Sequence, residues 1–371
     1  QISSAWKKIG AQSKKSFEKW DHRLEKLSNT KRHRFSAELK GSPPKKLARE
    51  IRALKKIISA ESPNVATRKS SERALTLINK VMQNTIGGSA DLTGSNNTLT
   101  ADLGVFEPKN RLGRYIYYGI REHAMSAIMN GIALHGGMVP YGGTFMAFAD
   151  YARGGMRLSS LMGLGVIYVM THDSIGLGED GPTHQPVEHL SMLRATPNML
   201  VFRPADTVET VEAWEIALNN SSAPSVLALS RQSLPTLRLI HSQANLTSKG
   251  AYILHEANAP RKVILLASGS ELEIACKAKD QLETEGIGTR VVSFPCWELF
   301  EKQDLSYRKK VLPGGPIRIA IEAGVVNGWE RWLYGERGSE KKSDFVGMKG
   351  FGASGPAKEL YKHFEITSEI V

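Results

Sequence analysis

The sequence predicts an α/β protein with two parallel-sheet domains that follow a helical arm. Between residues 65 and 240, short apolar runs alternate with longer amphipathic segments, which is the pattern of strands and crossover helices. A second series of the same kind occupies residues 250–371. Residues 1–64 instead show helical spacing of their apolar side chains. We therefore expect three parts: an arm at 1–64, an α/β domain at 65–240 and a second α/β domain at 250–371.

The strands and helices can be placed approximately from the apolar runs. Residues 41–44, Gly-Ser-Pro-Pro, break the arm into one helical run and a second helix that ends near Ala60. The predicted strands are 86–91, 115–118, 139–142, 166–171, 200–203 and 225–229 in the first domain, and 263–267, 289–293 and 317–322 in the second. The main predicted helices are 145–162, 208–218, 271–285 and 358–363, with another that starts in the turn at 119–123.

The net charge of +12 is concentrated in the arm. Residues 1–60 contain 17 Lys and Arg against 5 Asp and Glu, whereas the remainder contains 32 of each sign. A basic arm can bind nucleic acid or an acidic membrane. No aromatic interleaving or glycine-rich nucleic-acid signature accompanies the charge, which favours a solvated helical linker. We expect no nucleic-acid and no membrane partner.

The amino-acid composition indicates the cellular location of the protein. Cys276 and Cys296 form neither a disulfide framework nor a metal quartet, which favours a reducing, cytoplasmic location. No apolar run approaches the roughly 18 residues of a membrane helix. The chain begins with Gln1 inside a helical pattern, so we expect a piece of a longer protein.

The loop at residues 172–189, HDSIGLGEDGPTHQPVEH, is the main candidate for a functional site. It follows an apolar run that reads as a buried strand, and its glycines and prolines prevent both helix and strand. Ligands of α/β proteins bind at the carboxyl ends of strands. Two histidines and several carboxylates on a stiff loop suit proton transfer and the recognition of sugar hydroxyls, although charged loops are also common on surfaces.

Five segments together are similar to the transketolase family, and the similarity extends from the arm to the last helix. They are ATRKSS at 66–71, GGSADLTGSN at 87–96, YYGIREHAM at 117–125, the 172–189 loop and LSRQSLP at 229–235. The resemblance implies a linker, a pyrimidine-binding domain and a C-terminal domain. The family's Gly-Asp-Gly…Asn motif, which holds diphosphate and metal in its amino-terminal domain, is not found in this sequence.

The resemblance implies a cofactor site for thiamine diphosphate. Glu122 would contact the N1′ atom of the aminopyrimidine and so promote loss of the thiazolium C2 proton, after which the cofactor carries the reaction as a carbanion. Phe148 would stack on the pyrimidine, with Phe145 and Tyr151 beside it, and Asp91 would lie near the thiazolium. From the residues alone, Glu122 could be a favourable helix N-terminus, the three aromatics a core stripe on one helix, and Asp91 a turn cap.

The resemblance also implies a clamp for the distal phosphate of a sugar. Its members would be Arg68, Ser95, His172 and Arg231, and guanidinium forks suit phosphate well. Taken separately, arginines are more often surface or salt-bridge residues.

Asp180 and His184 complete the implied site. Asp180 would bind a substrate hydroxyl, and His184 would lie near the reacting carbonyl, where it donates a hydrogen bond or relays protons. Three histidines of the 172–189 loop could instead suggest a metal site, but their H-x₁₁-H-x₄-H spacing matches no zinc motif.

The implied activity is reversible transfer of a two-carbon ketol unit from a ketose phosphate, such as xylulose 5-phosphate or sedoheptulose 7-phosphate, to an aldose phosphate. It would require thiamine diphosphate and Mg²⁺ or Ca²⁺, with the metal ligands in the amino-terminal domain. The family's active sites lie between the subunits of a homodimer, so we expect this chain alone to be inactive. The alternatives are a 2-oxo-acid dehydrogenase β-subunit and a noncatalytic protein with a nucleic-acid-binding arm.

Overall fold

The structure, a computed structural model, describes residues 1–334 and 343–371. The arm consists of α1 (Ile2–Gln12), α2 (Lys14–Glu25), α3 (Asn29–Leu39) and α4 (Lys45–Glu61). The prediction of one helical run before residue 41 was wrong, because the run is interrupted at Ser13 and again before Ser28, which caps α3 by accepting a hydrogen bond from the Lys31 amide.

Only the last helix of the arm is anchored in the hydrophobic core. Leu47, Ile51 and Ile58 of α4 are buried in the core of the first α/β unit, whereas none of the residues of α1–α3 is buried. Lys55 of α4 forms a buried ion pair with Glu212 at 2.6 Å. The position of α4 is therefore fixed by both apolar packing and a buried charge pair.

The first α/β unit contains a wholly parallel six-stranded sheet. Its strands are β2 (Thr85–Ser89), β3 (Tyr115–Tyr117), β4 (Val139–Phe145), β5 (Ile167–Thr171), β6 (Leu200–Phe202) and β7 (Ser225–Leu229), in the order β3-β2-β4-β5-β7-β6. The short strands β1 (Val65–Ala66) and β8 (Ser233–Leu234) pair antiparallel beside it. The helices are α5 (Thr67–Val81), α6 (Thr93–Asn96), α7 (Glu122–His135), α8 (Ala149–Leu161), α9 (His189–Arg194) and α10 (Thr207–Asn219).

The central strands are buried on both faces. Every residue of β4, β5 and β7 is buried, which explains why β5 and β7 read as nearly continuous apolar runs instead of alternating ones. All six strands run in one direction, so their carboxyl ends share one edge of the sheet. Residues that follow different strands are thereby brought together.

The second α/β unit has a five-stranded sheet in its described part. The strands are β9 (Tyr252–His255), β10 (Arg261–Ala267), β11 (Gly288–Ser293), β12 (Ile317–Glu322) and β13 (Ser343–Gly347), in the order β13-β12-β10-β11-β9. Only β9, which the sequence did not predict, runs antiparallel to its neighbour. The helices are α11 (Glu271–Thr284), α12 (Trp297–Glu301), α13 (Leu305–Val311), α14 (Glu330–Leu333) and α15 (Ala357–His363).

The predicted fold class, two parallel-sheet α/β units preceded by a helical arm, is confirmed. Within the described residues, no helix is both long and apolar enough to span a membrane.

Candidate active site

The carboxyl edge of the six-stranded sheet collects nearly all the residues that the sequence singled out. Asp91 lies just beyond β2, His172 follows β5 directly, and Arg231 follows β7 after one residue. The pairing of β1 with β8 places the start of α5 against the end of β7, where Thr67 N is 3.0 Å from Ser230 Oγ. Arg68 therefore lies at the same edge as Arg231, although 163 residues separate them in the sequence.

Glu122 is the first residue of α7 and is only 6% exposed. Thr144 Oγ1 donates a long hydrogen bond of 3.5 Å to its Oε1, and no cation of the described residues lies within ion-pair distance of the carboxylate. The positive end of the α7 dipole favours a negative charge at this position. A buried carboxylate without a cationic partner is costly unless a ligand supplies its hydrogen bond. Glu122 therefore has the free bonding capacity that the predicted role requires.

The aromatic side chains form a row, but the prediction that they share one helix was wrong. Phe145 is the last residue of β4, Phe148 ends a 3₁₀ turn, and Tyr151 lies in the first turn of α8. β4 continues to Phe145 because its whole length is buried within the sheet. The ring centroids of Phe145 and Phe148 are 5.7 Å apart and nearly parallel, and those of Phe148 and Tyr151 are also 5.7 Å apart. The row is thus built by three successive elements.

His172 is buried and its hydrogen bonds define its tautomer. Thr171 Oγ1 donates to Asn96 Oδ1 at 2.7 Å, so at 2.8 Å it accepts from Nδ1–H of His172. Burial, followed by the charges of Arg68 and Arg231, lowers the pKa of His172 to about 3. The ring is therefore neutral near pH 7, with a lone pair on Nε2. Its φ of 61° is left-handed, an uncommon conformation that clusters at functional sites.

Arg68 and Arg231 form a cationic pair with no ion pair to any carboxylate of the described residues. Arg68 donates from Nη1 to the Ser95 carbonyl at 2.8 Å, and its Nε is buried without a partner among the described residues. Burial and the neighbouring Arg231 charge lower the pKa of Arg68. Two like charges held together without a counter-ion make this a candidate anion site.

Asp180 and His184 lie on the 172–189 loop near the aromatic row. The His184 ring is 5.5 Å from Phe148 and 6.1 Å from Phe145, centroid to centroid, and its Nδ1 is 2.9 Å from Thr183 Oγ1. Asp180 and Asp91 are exposed, and neither carboxylate has a hydrogen-bond or ion-pair partner among the residues described. Asp91 therefore does not cap the turn that follows it.

Sequence reasoning missed a buried ionic network between the two α/β units. Arg203 is fully buried and contacts Asp173 at 2.9 Å and also Glu271. Arg194 makes two hydrogen bonds, of 2.6 and 2.8 Å, to the Glu322 carboxylate. One feature of the sequence could have pointed to this network. Asp173, Arg203 and Glu322 each lie at or just beyond the carboxyl end of a strand.

The fold and this edge define an α/β protein with a cationic pair and an aromatic row at the carboxyl end of one parallel sheet. The sequence comparisons agree with that class. Residues 63–236 match the model described as "Transketolase, pyrimidine binding domain", and residues 250–367 match "Transketolase-like TK C-terminal domain". A transketolase from Rhodobacter capsulatus is 59% identical over 371 residues, which are 100% of this chain and 55% of that protein. The chain belongs to the transketolase family and carries two of its domains.

Solved structures agree with the sequence relatives. Transketolase from Leishmania mexicana has a TM-score of 0.84 and 42% identity, over 95% of this chain and 51% of that one. A Pichia stipitis transketolase complex with sedoheptulose 7-phosphate has a TM-score of 0.82 and 39% identity, over 100% of this chain and 52% of that one. The chain thus spans about half the length of the relatives that it matches.

Proposed function

We propose that this chain provides the pyrimidine-binding half of a transketolase active site, and that the whole protein transfers a two-carbon ketol unit between sugar phosphates. The observation that carries the proposal is Glu122, a buried carboxylate with no cationic partner among the described residues, at the positive end of a helix. The aromatic row and the cationic pair lie along the same edge of the sheet, which supports a shared site.

The described residues fit thiamine diphosphate, whose thiazolium carbon, once deprotonated, can carry the ketol unit. Glu122 would hold a proton in a hydrogen bond with the N1′ atom of the aminopyrimidine. Phe148 offers its ring face to that heterocycle, with Phe145 and Tyr151 beside it, since offset stacking suits flat aromatic rings. Asp91, which has no described partner, would stabilise positive charge on the thiazolium. The proposal places the ligands of Mg²⁺ or Ca²⁺ outside this chain.

The proposed substrates are sugar phosphates, the class named in the Pichia stipitis complex. Arg68 and Arg231 would bind the distal phosphate as planar forks, and the Ser95 hydroxyl would donate a further hydrogen bond. His172 would complete the clamp as a donor from Nε2, once the phosphate charge offsets the two arginines and that nitrogen takes up a proton. Asp180 would accept a hydrogen bond from a substrate hydroxyl. His184, which lies on the 172–189 loop beside the aromatic row, would donate to the reacting carbonyl oxygen or move a proton there.

The proposed assembly is a homodimer with sites between subunits. Its support is the apolar exposure of α7, where Ile128 is 46% and Leu134 is 60% exposed although α7 packs on α8. We also propose the division into an arm at 1–64 and domains at 65–240 and 250–371, supported by the matched ranges 63–236 and 250–367. The proposed location is cytoplasmic, since both cysteines are unpaired.

The test compares two preparations, each with thiamine diphosphate, Mg²⁺, xylulose 5-phosphate and ribose 5-phosphate. We expect turnover by the full-length gene product and none by the isolated 371-residue chain. Glu122→Gln in the full-length protein should lower kcat by about 10²- to 10⁴-fold, the usual contribution of a positioned acid–base group. Glu285→Gln, which changes an exposed carboxylate just after α11 and outside the proposed site, is the matched control and should retain activity.

Three results would contradict the proposal. These are robust ketol transfer by the isolated chain, full activity of the Glu122→Gln protein, or turnover of pyruvate in place of xylulose 5-phosphate. The last result would favour a 2-oxo-acid dehydrogenase β-subunit instead.

A further inference from the structure

The 172–189 loop follows a strand of the first α/β unit, yet it is anchored in the second. Ile175 and Val187 are buried in the same hydrophobic cluster as Leu265, Leu272 and Leu360 of the second unit. The Val187 carbonyl also accepts a hydrogen bond of 3.1 Å from the amide of Val325. The part of the loop that carries Asp180 and His184 therefore lies between two anchors in the core of the second unit.

Residues 351–355 of the second unit make two polar contacts to the same stretch. Ser354 Oγ donates to the Glu179 carbonyl at 2.6 Å. Gln185 Nε2 donates to the Ala353 carbonyl at 2.9 Å and to the Gly178 carbonyl at 3.0 Å. Glu179 directly precedes Asp180, and Gln185 directly follows His184. The two contacts therefore fix the backbone immediately outside the proposed substrate residues.

Gln185 has little freedom to move away from this position. Its side chain is 3% exposed, and its Oε1 is buried without a partner among the described residues. A Cβ atom added to Gly352 would overlap the Gln185 amide. The other hydrogen bonds of residues 178–185 within the described part of the chain are short-range turn bonds, such as His184 N to the Gly181 carbonyl at 3.0 Å. Such local bonds do not fix a loop relative to a distant ligand.

We propose that residues 351–355 position the 178–185 stretch for substrate binding, with Ser354 and Gln185 as positioning residues. The second α/β unit would thereby set the specificity of a site to which it contributes no proposed ligand. This inference rests on the proposed function, because it concerns how Asp180 and His184 meet the sugar. The cofactor residues Glu122 and Phe148 lie on other elements, so their alignment should not depend on this segment.

The test uses Ser354→Thr and Ser354→Val in the full-length gene product, a nearly isosteric pair that differs in the hydroxyl group. We expect Ser354→Val to lower kcat/KM for xylulose 5-phosphate by about 5- to 10-fold, the effect of one lost hydrogen bond, while Ser354→Thr stays close to the parent. The concentration of thiamine diphosphate that gives half-maximal activity should be the same in both. Gly352→Ala, which displaces Gln185, should act in the same direction as Ser354→Val.

Hydrogen exchange at the amides of residues 178–185, measured on the same proteins, provides a readout that does not need activity. Exchange should be faster in Ser354→Val than in Ser354→Thr. Equal kcat/KM in the Thr and Val variants, or equal exchange in both, would overturn the inference. Loss of cofactor affinity in step with kcat/KM would also overturn it, because it would show a general structural role. Absence of ketol transfer in the parent would instead reject the proposed function. Hydrogen exchange alone would then test whether residues 351–355 hold the 178–185 stretch in place.

Discussion

The sheet edge and the interface between the two α/β units both hold buried or half-buried charges, but these charges have partners at the interface and lack them at the sheet edge. At the interface, Glu322 receives two hydrogen bonds from Arg194, one from Trp329 Nε1 at 2.9 Å and one from Ser268 Oγ at 2.5 Å. At the sheet edge, neither the Glu122 carboxylate nor the Arg68 guanidinium has an oppositely charged partner among the described residues.

This difference separates charges that stabilise the fold from charges that are kept available for a ligand. Removing one partner of a buried, fully paired charge strongly destabilises the fold. A charge without partners already costs free energy in the ligand-free protein. Interface changes should therefore act on stability, and changes at the sheet edge should act on binding and catalysis.

Glu322→Gln should have the largest effect on stability. It leaves Arg194 and Arg203 facing a neutral amide in a buried site, and we expect a loss of about 3–5 kcal/mol in the free energy of unfolding. Burial alone would raise the pKa of Glu322, but Arg194 and Arg203 outweigh it and hold the value at about 2. The contribution of this carboxylate is therefore present above pH 4.5 and is lost as the pH falls from 4.5 toward 2.

Denaturant unfolding at several pH values measures this effect. The matched control is Glu301→Gln, which removes an exposed carboxylate 3.4 Å from Arg331 and should change stability by at most about 1 kcal/mol. Equal denaturant midpoints for Glu322→Gln and Glu301→Gln at neutral pH would contradict the prediction. They would show that the interface carboxylate stabilises the fold no more than an exposed one.

Arg231→Gln should have an intermediate effect, mainly on substrate binding. Loss of a charge-assisted phosphate contact should raise KM for sugar phosphates by about 10- to 100-fold with a smaller change in kcat. Steady-state kinetics with xylulose 5-phosphate, and with an acceptor that lacks phosphate, measure the change. Arg331→Gln, a surface substitution outside the site, should leave both constants unchanged. An equal loss with the phosphate-free acceptor would show that Arg231 does not bind phosphate.

The smallest expected effect is on the protonation of His172. Its Hε1 resonance, assigned with a His172→Asn variant, should not titrate between pH 8 and pH 5, because its pKa is about 3. Inorganic phosphate bound between the arginines should move that pKa upward, since it offsets the two positive charges. Arg231→Gln should move it in the same direction. A resonance that titrates near 6.5 in the free protein would contradict the proposed arrangement of these charges.

The sequence alone predicted the bounds of those strands that a short stretch of residues defines. The strands 225–229 and 317–322 have the predicted bounds, because each is a short, largely apolar run between clear turn signals. The 145–162 segment was misjudged, since burial within the sheet extends β4 to Phe145 against the helical spacing of the aromatics. Helical propensity alone could not show where a buried strand would end.

The interface could not be predicted because its members are far apart in the sequence and individually unremarkable. Arg203 is 30 residues from Asp173 and 68 from Glu271, and only the docking of the two units joins them. The same holds for Gln185 and the 351–355 segment, which meet across 168 residues. The candidate site residues were predicted from the resemblance of five segments to the transketolase family. The parallel sheet explains why Asp91, His172 and Arg231, which follow three of its strands, lie at one edge.

The most direct test of the central claim is a structure of the full-length gene product with thiamine diphosphate bound. We predict that a carboxylate oxygen of Glu122 lies about 2.6–3.0 Å from a ring nitrogen of the aminopyrimidine, with Phe148 against the face of that ring. A Glu122 carboxylate that is ion-paired with a lysine or arginine, or a pyrimidine bound away from Phe148, would contradict it.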